Sequence, residues 1–327
     1  VELTVNSSDQ LPKISVITPT LSQGGFIEET ILSVLNQDYP QLEYIVIDGG
    51  STDSTLEILH KYKKSIGYWI SEPDSGQADA INKGFRRATG DLLCWINSDD
   101  ILLPSALHRV AELFDPELSK QMILGDVEIE NLCDSSVWLA RQHGVTRENM
   151  IRNWMGSRHT WLQPGTFVSR GLFQEVGPLD AGLHLTFDRE WMIRLLGAAP
   201  VVKYLDKPVA RFRLHPASKT VSKPEKWVNE QILVTSRFIC DSPRFAAYAR
   251  AETEVCWGAL PLLDASVRKV NRRGAWGWLR RAVRSSSAIL LSKRWWLGLF
   301  LSFMPASLIE MVMALLSRGA GRGQGRT

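Results

Sequence analysis

The sequence predicts an α/β protein with a mostly parallel central sheet flanked by helices, followed by a helical C-terminal extension. Short apolar or β-branched runs at 13–19, 42–48 and 91–96 alternate with stretches of helical spacing, which is the order βαβ units produce. Those runs carry few polar residues along their middles, as strands buried on both faces do. Beyond residue 219 the strand-like runs stop and helical patterns take over.

Lys13–Pro19 (KISVITP) reads as the first strand, stopped by its proline, and Gly24-Gly25 loosens the loop after it. Phe26–Asn36 places Ile27, Ile31, Val34 and Leu35 at helical spacing, and Tyr39-Pro40 ends that helix. Leu42–Asp48 (LEYIVID) is a second strand. After the Gly49-Gly50 turn, Ser54 and Glu57 match a capping box for a helix through Lys64. Ile66–Ser71 is a third strand, Glu72–Gly76 a loop, Gln77–Ala88 a helix and Asp91–Ile96 a fourth strand. A helix over Pro104–Phe114 and a strand over Gln121–Glu130 follow, whereas 131–165 has no clear period. Gly165–Ser169 reads as a strand, Leu172–Val176 and Phe187–Leu196 as helices, and Val201–Arg213 as one or two strands. Trp227–Ala251 and Glu252–Asn271 are helical in pattern.

With 44% hydrophobic and 22% charged residues in 327, the chain has the composition of a globular protein with a real core. Its net charge of +3 is unevenly spread: residues 268–327 hold 12 Lys/Arg against Glu310 alone, a net +11, leaving −8 for residues 1–267. A basic tail on an acidic body points to an anionic surface as the tail's partner. Cys94, Cys133, Cys240 and Cys256 are far apart and form no C-x-x-C pair, so zinc and redox motifs are not expected and a reducing compartment is. Val1–Pro12 is polar and lacks a basic-then-apolar pattern, so no signal peptide is expected there. The organisation predicted is an extension over 1–12, an α/β domain over 13–220, a helical extension over 221–267 and a tail over 268–327.

In a parallel sheet the carboxyl ends of the strands form the ligand-binding edge. Here that edge gathers Pro19-Thr20, Asp48-Gly49 and the cluster Asn97-Ser98-Asp99-Asp100. Two adjacent carboxylates at the end of a buried strand repel each other and suit a hard divalent cation, Mn²⁺ or Mg²⁺. Alternatively, one of them caps the helix that begins near Pro104.

Several of these stretches together resemble glycosyltransferase family 2, with its Rossmann-like GT-A fold. They are Ser15–Thr20 (SVITPT), Ile45–Thr55 (IVIDGGSTDST), Asp74–Gly84 (DSGQADAINKG), Gly90–Asp100, Gln163-Pro164, Asp188 and Arg211–Lys219 (RFRLHPASK). The resemblance spans about residues 13–219 and implies an inverting transferase that uses a nucleotide-diphosphate sugar and a divalent metal. It implies that Asp48 accepts the imide N–H of a uracil or thymine ring, which favours a UDP- or dTDP-sugar; a turn aspartate bonding backbone N–H groups is the other reading. Pro19 and Thr20 lie against the same base, and Gly49 and Ser51 permit close backbone approach. Gln77, Asp79, Asn82 and Lys83 stand at or near the start of a helix, suited to diphosphate or sugar hydroxyls or simply to solvent. Asp79 best matches the family's donor-site carboxylate.

The family's Asp-x-Asp pattern is broken here, because Asn97 occupies its first position. Asn97 and Ser98 then contact the donor, Asp99 becomes the principal metal ligand, and Asp100 is a second ligand or an orienting group. Asp188 corresponds to the catalytic base, and Glu190, two residues on, faces another direction on the same helix. A helix N-terminal acid favoured by the dipole is the alternative for Asp188. His215 contacts metal or diphosphate, or serves the structure of its loop. Trp161, Gln163, Glu190 and the nearby His159 are candidates for the acceptor cleft.

Residues 268–294 hold nine Lys/Arg and no acid, interleaved with Trp276, Trp278 and Leu279, and residues 295–316 are overwhelmingly apolar. Pro305 and Glu310 count against a simple span. Interfacial helices with Trp276, Trp278, Trp295 and Trp296 at the headgroups fit better, and a packing or oligomer helix is the remaining reading. A nucleic-acid partner is not expected, since the basic and aromatic residues adjoin an apolar segment. The expected setting is the cytoplasmic face of a membrane, with a glycan or lipid-linked acceptor in cell-surface polysaccharide synthesis. The rivals are a sugar nucleotidyltransferase, whose Gly-rich Arg/Lys loop has only Ser22–Gly25 to match it, and an inactive sugar-nucleotide-binding module, which Asn97 keeps open.

Overall fold

The computed structural model describes residues 11–152, 161–219, 224–238, 254–259 and 272–303, with Ala247, Arg250 and Ala251. The chain divides into an α/β unit, residues 1–147 and 159–218, and a helical unit, residues 148–158 and 219–327.

In the α/β unit, β1 (Ile14–Thr20), β2 (Leu42–Asp48), β3 (Tyr68–Ser71) and β4 (Leu92–Trp95) pair in parallel, in the spatial order β3-β2-β1-β4. They are joined through α1 (Ile27–Leu35), α2 (Thr55–Tyr62) and α3 (Gln77–Arg87). Every residue of β1 and β4 is buried, which explains their unbroken apolar runs. The two-residue β5 (Ile101–Leu102) and α4 (Ala106–Leu113) come next. The sheet continues through β8 (Thr166–Ser169), β6 (Gln121–Asn131), β9 (Val201–Leu214) and β5, and β7 (Ser136–Ala140) adds to β6. This half is mixed: β4–β8, β8–β6, β5–β9 and β6–β7 are antiparallel, whereas β6–β9 is parallel. Helix α5 (Arg147–Arg152) lies at the chain boundary with the helical unit, whereas a 3₁₀ turn (Gln163–Gly165) and helices α6 (Arg170–Val176) and α7 (Phe187–Gly197) belong to the α/β unit.

Three local expectations change. Val201–Leu214 is one strand, and Pro208 is accommodated where the pairing with β6 slips around Asp126, since a proline cannot donate to a ladder. Between 131 and 165 the aperiodic sequence hides the hairpin strand β7. The capping box at Ser54 does not form; Asp53 takes its place, accepting from the Thr55 N–H at 3.1 Å and the Gly24 N–H at 2.9 Å.

One face of the sheet packs Val16, Val46, Cys94, Ile123 and Phe167 with helix residues such as Ile31, Leu59 and Leu107. An aromatic group of Phe85, Trp95, Phe173 and Trp191 packs separately, with the Trp95 and Trp191 ring centroids 5.5 Å apart. At the edge away from the ligand side, Glu43 ties the first strands together. It accepts hydrogen bonds from Ser15 at 2.5 Å, from the Thr89 N–H and hydroxyl at 2.6 Å each, and from Lys13 at 3.0 Å. Burial alone would raise the Glu43 carboxyl, but these donors outweigh it and bring it down to about 2. Because the folded value lies below the ordinary 4.5, the stabilisation is full above pH 4.5 and is lost as pH falls towards 2. The stability difference between wild type and Glu43→Gln is therefore expected to shrink over that window, as measured by denaturant unfolding at stepped pH.

In the helical unit, α8 (Pro224–Phe238), a π-helical turn (Glu254–Ala259), α9 (Arg272–Ser285), a 3₁₀ turn (Ser287–Leu291) and α10 (Lys293–Phe303) are described. Val228, Val255, Ala275, Trp278, Leu279, Ile289 and Leu301 form their core. Trp278, expected at a membrane interface, is thus an interior residue with Arg281 over its ring at 4.6 Å. Among the described residues no helix is long and apolar enough to cross a membrane, and 304–316, with Pro305 and Glu310, lies outside them.

Candidate active site

The site is built on the carboxyl ends of β1, β2 and β4. Asp48, the last residue of β2, is fully buried. Its Oδ2 accepts from the Gly50 and Ser51 N–H groups at 3.2 and 3.0 Å and from Ser71 Oγ, at the end of β3, at 2.5 Å. Its Oδ1 accepts from Ser51 Oγ. Gly50 has φ +90, which folds the chain back so that both amides reach the carboxylate. Asp48 therefore does perform the turn role, and the same bonds hold Gly49 and Ser51 in place beside Thr20, whose carbonyl accepts from Gly49 N–H at 2.9 Å. Pro19 and Thr20 are buried at the end of β1, and Thr20 Oγ1 has no hydrogen-bond partner among the described residues.

After β4 the chain makes a tight turn, with Asp100 N–H donating to the Asn97 carbonyl at 3.0 Å. The Thr30 hydroxyl of α1 lies 2.9 and 2.7 Å from the Ser98 and Asp100 carbonyls and pins that turn. Asn97 links α3 to the acidic pair: Gln77 Nε2 donates to its Oδ1 at 2.7 Å, and its Nδ2 donates to Asp100 Oδ2 at 3.1 Å. Asp100 also accepts from Arg213 N–H at 3.0 Å and is fully buried. Burial, and then the neighbouring Asp99 charge, hold its carboxyl well above the ordinary range against those two hydrogen bonds. Asp100 thus holds the Asn97 side chain and the Arg213 main chain in place. Neither aspartate caps the next helix, which starts after Ser105 with no side-chain cap.

Asp99 points elsewhere. Its Oδ2 lies 3.1 Å from His215 Nε2, and their side chains are 25% and 7% exposed, so the carboxylate is reachable while the imidazole is held. The imidazole stacks on Phe26 with ring centroids 4.7 Å apart, and the His215 N–H donates to Ser218 Oγ at 3.1 Å. A carboxylate oxygen beside an imidazole nitrogen suits Mn²⁺, and also Mg²⁺ when diphosphate and water oxygens complete the sphere. Among the described residues no group of three or more His, Cys, Asp or Glu is gathered as a cage, so such a cation would depend on its ligand's oxygens.

At the start of α3, Asp79 Oδ2 accepts from Ser75 N–H at 3.1 Å and Asp74 Oδ1 from Gly76 N–H at 2.8 Å. Gly76 has φ +125, and a Cβ there would stand 3.2 Å from His184 Nδ1. Asn82 and Lys83 serve structure: Asn82 exchanges two 2.9 Å hydrogen bonds with Leu179, and Lys83 binds Glu72 at 2.8 Å and the Pro73 carbonyl at 3.1 Å.

Asp188 opens α7, half-buried, and its Oδ1 accepts from Arg189 N–H at 2.7 Å. Burial lowers the Arg189 guanidinium to about 9, with the Asp188 charge opposing. Trp191, one turn on, packs on Trp95 at the end of β4, so the face of α7 that carries Asp188 is anchored two residues before Asn97. Glu190, a candidate for the acceptor cleft, is buried and grips Arg194 through three contacts of 2.9–3.0 Å. Arg194 in turn donates to the Val176 and Pro178 carbonyls, so this pair fixes α7 to the preceding turn. Gln163 donates to the Trp95 carbonyl at 2.8 Å, and Trp161 Nε1 to Thr166 Oγ1 at 2.9 Å. His159 lies outside the described residues. Phe26, just before α1, and Glu29 and Thr30 on it were not singled out from the sequence, because none carries a local mark of the turn it serves.

The family model for Glycosyl transferase family 2 matches residues 15–177, about half the chain. An uncharacterized glycosyltransferase of Mycobacterium tuberculosis is 29% identical over 185 residues, covering 56% of this chain and 68% of that protein. The PGL/p-HBAD biosynthesis glycosyltransferase of Mycobacterium bovis is 27% identical over 214 residues, 62% of this chain and 77% of its own. Among solved structures, residues 1–349 of S. aureus TarS in complex with UDP superpose with TM-score 0.59 at 19% identity, covering 94% of this chain and 92% of that one. This chain spans about half of the longer TarS chain, 53%. Mannosyltransferase PcManGT from Pyrobaculum calidifontis, in complex with GDP-Man and Mn²⁺, gives TM-score 0.54 at 16% identity, covering 93% of this chain and 87% of that one. These two likenesses are of fold, and they agree with a GT-A sheet. The family match takes in the four parallel strands and the turn that presents Asp99, ending before Asp188 and His215, and by it this chain belongs to glycosyltransferase family 2.

Proposed function

We propose that the protein moves a sugar from a nucleotide-diphosphate sugar, UDP- or dTDP-linked by preference, to a hydroxyl of a glycan or lipid-linked acceptor in cell-surface polysaccharide synthesis, with inversion. The observation that carries this reading is the Asp99–His215 pair, 3.1 Å apart, at the strand ends where α/β sheets bind ligands. The complexes of TarS with UDP and UDP-GlcNAc support a uridine donor, and the Mn²⁺ of PcManGT supports a divalent metal.

In this reading Pro19, Thr20, Asp48, Gly49 and Ser51 hold the base, and Gln77, Asp79, Asn97 and Ser98 hold the ribose, diphosphate and sugar. Asp99 and His215 hold Mn²⁺ or Mg²⁺, which when bound supplies positive charge to the diphosphate leaving group. Asp188 accepts the proton of the acceptor hydroxyl as that oxygen bonds to the anomeric carbon; the bond from that carbon to the diphosphate breaks, and a nucleoside diphosphate leaves. Trp161 and Gln163 flank the acceptor. The segment 13–220 is the transferase domain, and the helical unit rests on the inner face of an anionic membrane through residues 268–316. Exposed Trp296, Phe300 and Phe303 support that contact.

The test is to incubate the protein with a panel of nucleotide sugars, with Mn²⁺ or with chelator, and to identify the released phosphate species. Nucleoside diphosphate that disappears with chelator is expected. Pyrophosphate would identify a nucleotidyltransferase instead, and no release with tight donor binding an inactive module.

A further inference from the structure

Arg213 and His215 leave the end of β9 two residues apart, and both reach Asp99. His215 meets its carboxylate, and Arg213 Nε donates to its main-chain carbonyl. The Arg213 N–H also holds Asp100, and Nη1 meets the Glu29 carboxylate on α1. Between the two side chains lies one ring: Phe26 stacks on His215 and lies 5.3 Å from the Arg213 guanidinium. The Glu29 carboxylate and the Asp99 carbonyl thus meet one guanidinium, while the Arg213 main chain holds Asp100. Arg213 as a whole is 4% exposed, and its Nη2 is buried with no hydrogen-bond partner among the described residues.

A buried cation with an unmet N–H costs the fold free energy, so stability alone does not account for it. One of its contacts fixes the main chain of Asp99, whose carboxylate is 25% exposed beside His215. We propose that Arg213 is a positioning residue for the Asp99–His215 site, with Phe26 as the platform shared by the Arg213 and His215 side chains. Arg213 fixes the Asp99 backbone, His215 fixes its carboxylate, and the two together set where a cation and its diphosphate oxygens are received. Thr30 still holds the turn at Ser98 and Asp100 when Arg213 is replaced, so the loss is of aim rather than of the turn itself. The proposal rests on the reading of Asp99 and His215 as the metal site.

The test compares full-length wild type, Arg213→Met and Arg213→Lys by calorimetric titration with UDP, with and without Mn²⁺, and by the Mn²⁺ spin-resonance signal. Arg213→Met is expected to weaken Mn²⁺-dependent UDP binding about tenfold or more, the usual cost of losing a group that orients a metal ligand. Metal-free UDP affinity should be unchanged, and Arg213→Lys should recover part of the Mn²⁺ increment at wild-type melting temperature. Equal weakening with and without Mn²⁺, or none in either variant, overturns the positioning role while leaving the metal site standing. If Mn²⁺ does not strengthen UDP binding to the wild type, the metal-site reading and this proposal fall together. Should Arg213→Met not fold, the Mn²⁺ increment of Arg213→Lys decides: wild-type strength overturns the proposal.

Discussion

Asp188→Asn lowers turnover by about 10²- to 10⁴-fold, the range for removal of a general base, and leaves donor affinity nearly intact. The substitution keeps the size and a hydrogen-bond acceptor for the Arg189 N–H, so the start of α7 keeps its geometry, but the proton acceptor is gone. The buried Arg189 also loses its facing charge. Melting temperature must therefore be followed beside kcat, and a fall in kcat larger than the loss of folded protein is what identifies the base. Glu190 is no substitute, because its carboxylate is held on Arg194. Unchanged turnover in Asp188→Asn would remove Asp188 from the mechanism.

The double variant Trp296→Ser/Phe300→Ser weakens binding to anionic vesicles about tenfold or more, since each lost aromatic forfeits about 1.5–3 kcal/mol of buried apolar surface. Trp296, Phe300 and Phe303 fall at i, i+4 and i+7 on α10, so they share one face, and they are 56%, 60% and 72% exposed. Arg273, Arg280 and Arg284 fall at i, i+7 and i+11 on α9 and are exposed as well, a charge that suits anionic headgroups. Removing everything from residue 268 would be the wrong experiment, because Trp278, Leu279, Ala282 and Leu301 belong to the core of the helical unit. The double variant leaves that core alone. Retention of full vesicle binding at equal fold content would eliminate this face as the membrane contact.

The parallel half of the sheet was legible because strands buried on both faces must be apolar throughout, and Leu42–Asp48 could be bounded to the residue. The mixed half was not. β7 carries Val137, Trp138 and Leu139 all exposed, so it shows no alternation of faces, and the two residues of β5 are too short to show any period. In the site, the acidic pair was legible as a polar cluster at a strand end, with cation binding and helix capping both open. Their division of labour was not: it depends on which carboxylate the turn buries.

The sequence by itself determined the class of fold, the family and the set of polar residues gathered at the strand ends, because those follow from local periodicity and from residue type. Only the tertiary structure decided that Asp100 turns inward to Asn97 and the Arg213 amide while Asp99 turns outward to His215. It also decided that Glu190 is occupied, that Trp278 is core, and that Arg213, Phe26 and Thr30 frame the acidic turn. The reason is physical: Arg213 is 114 residues from Asp99 and Thr30 is 70 from Asp100. Contacts across such separations are fixed by how α1, β4 and β9 pack, and no spacing along the chain records them.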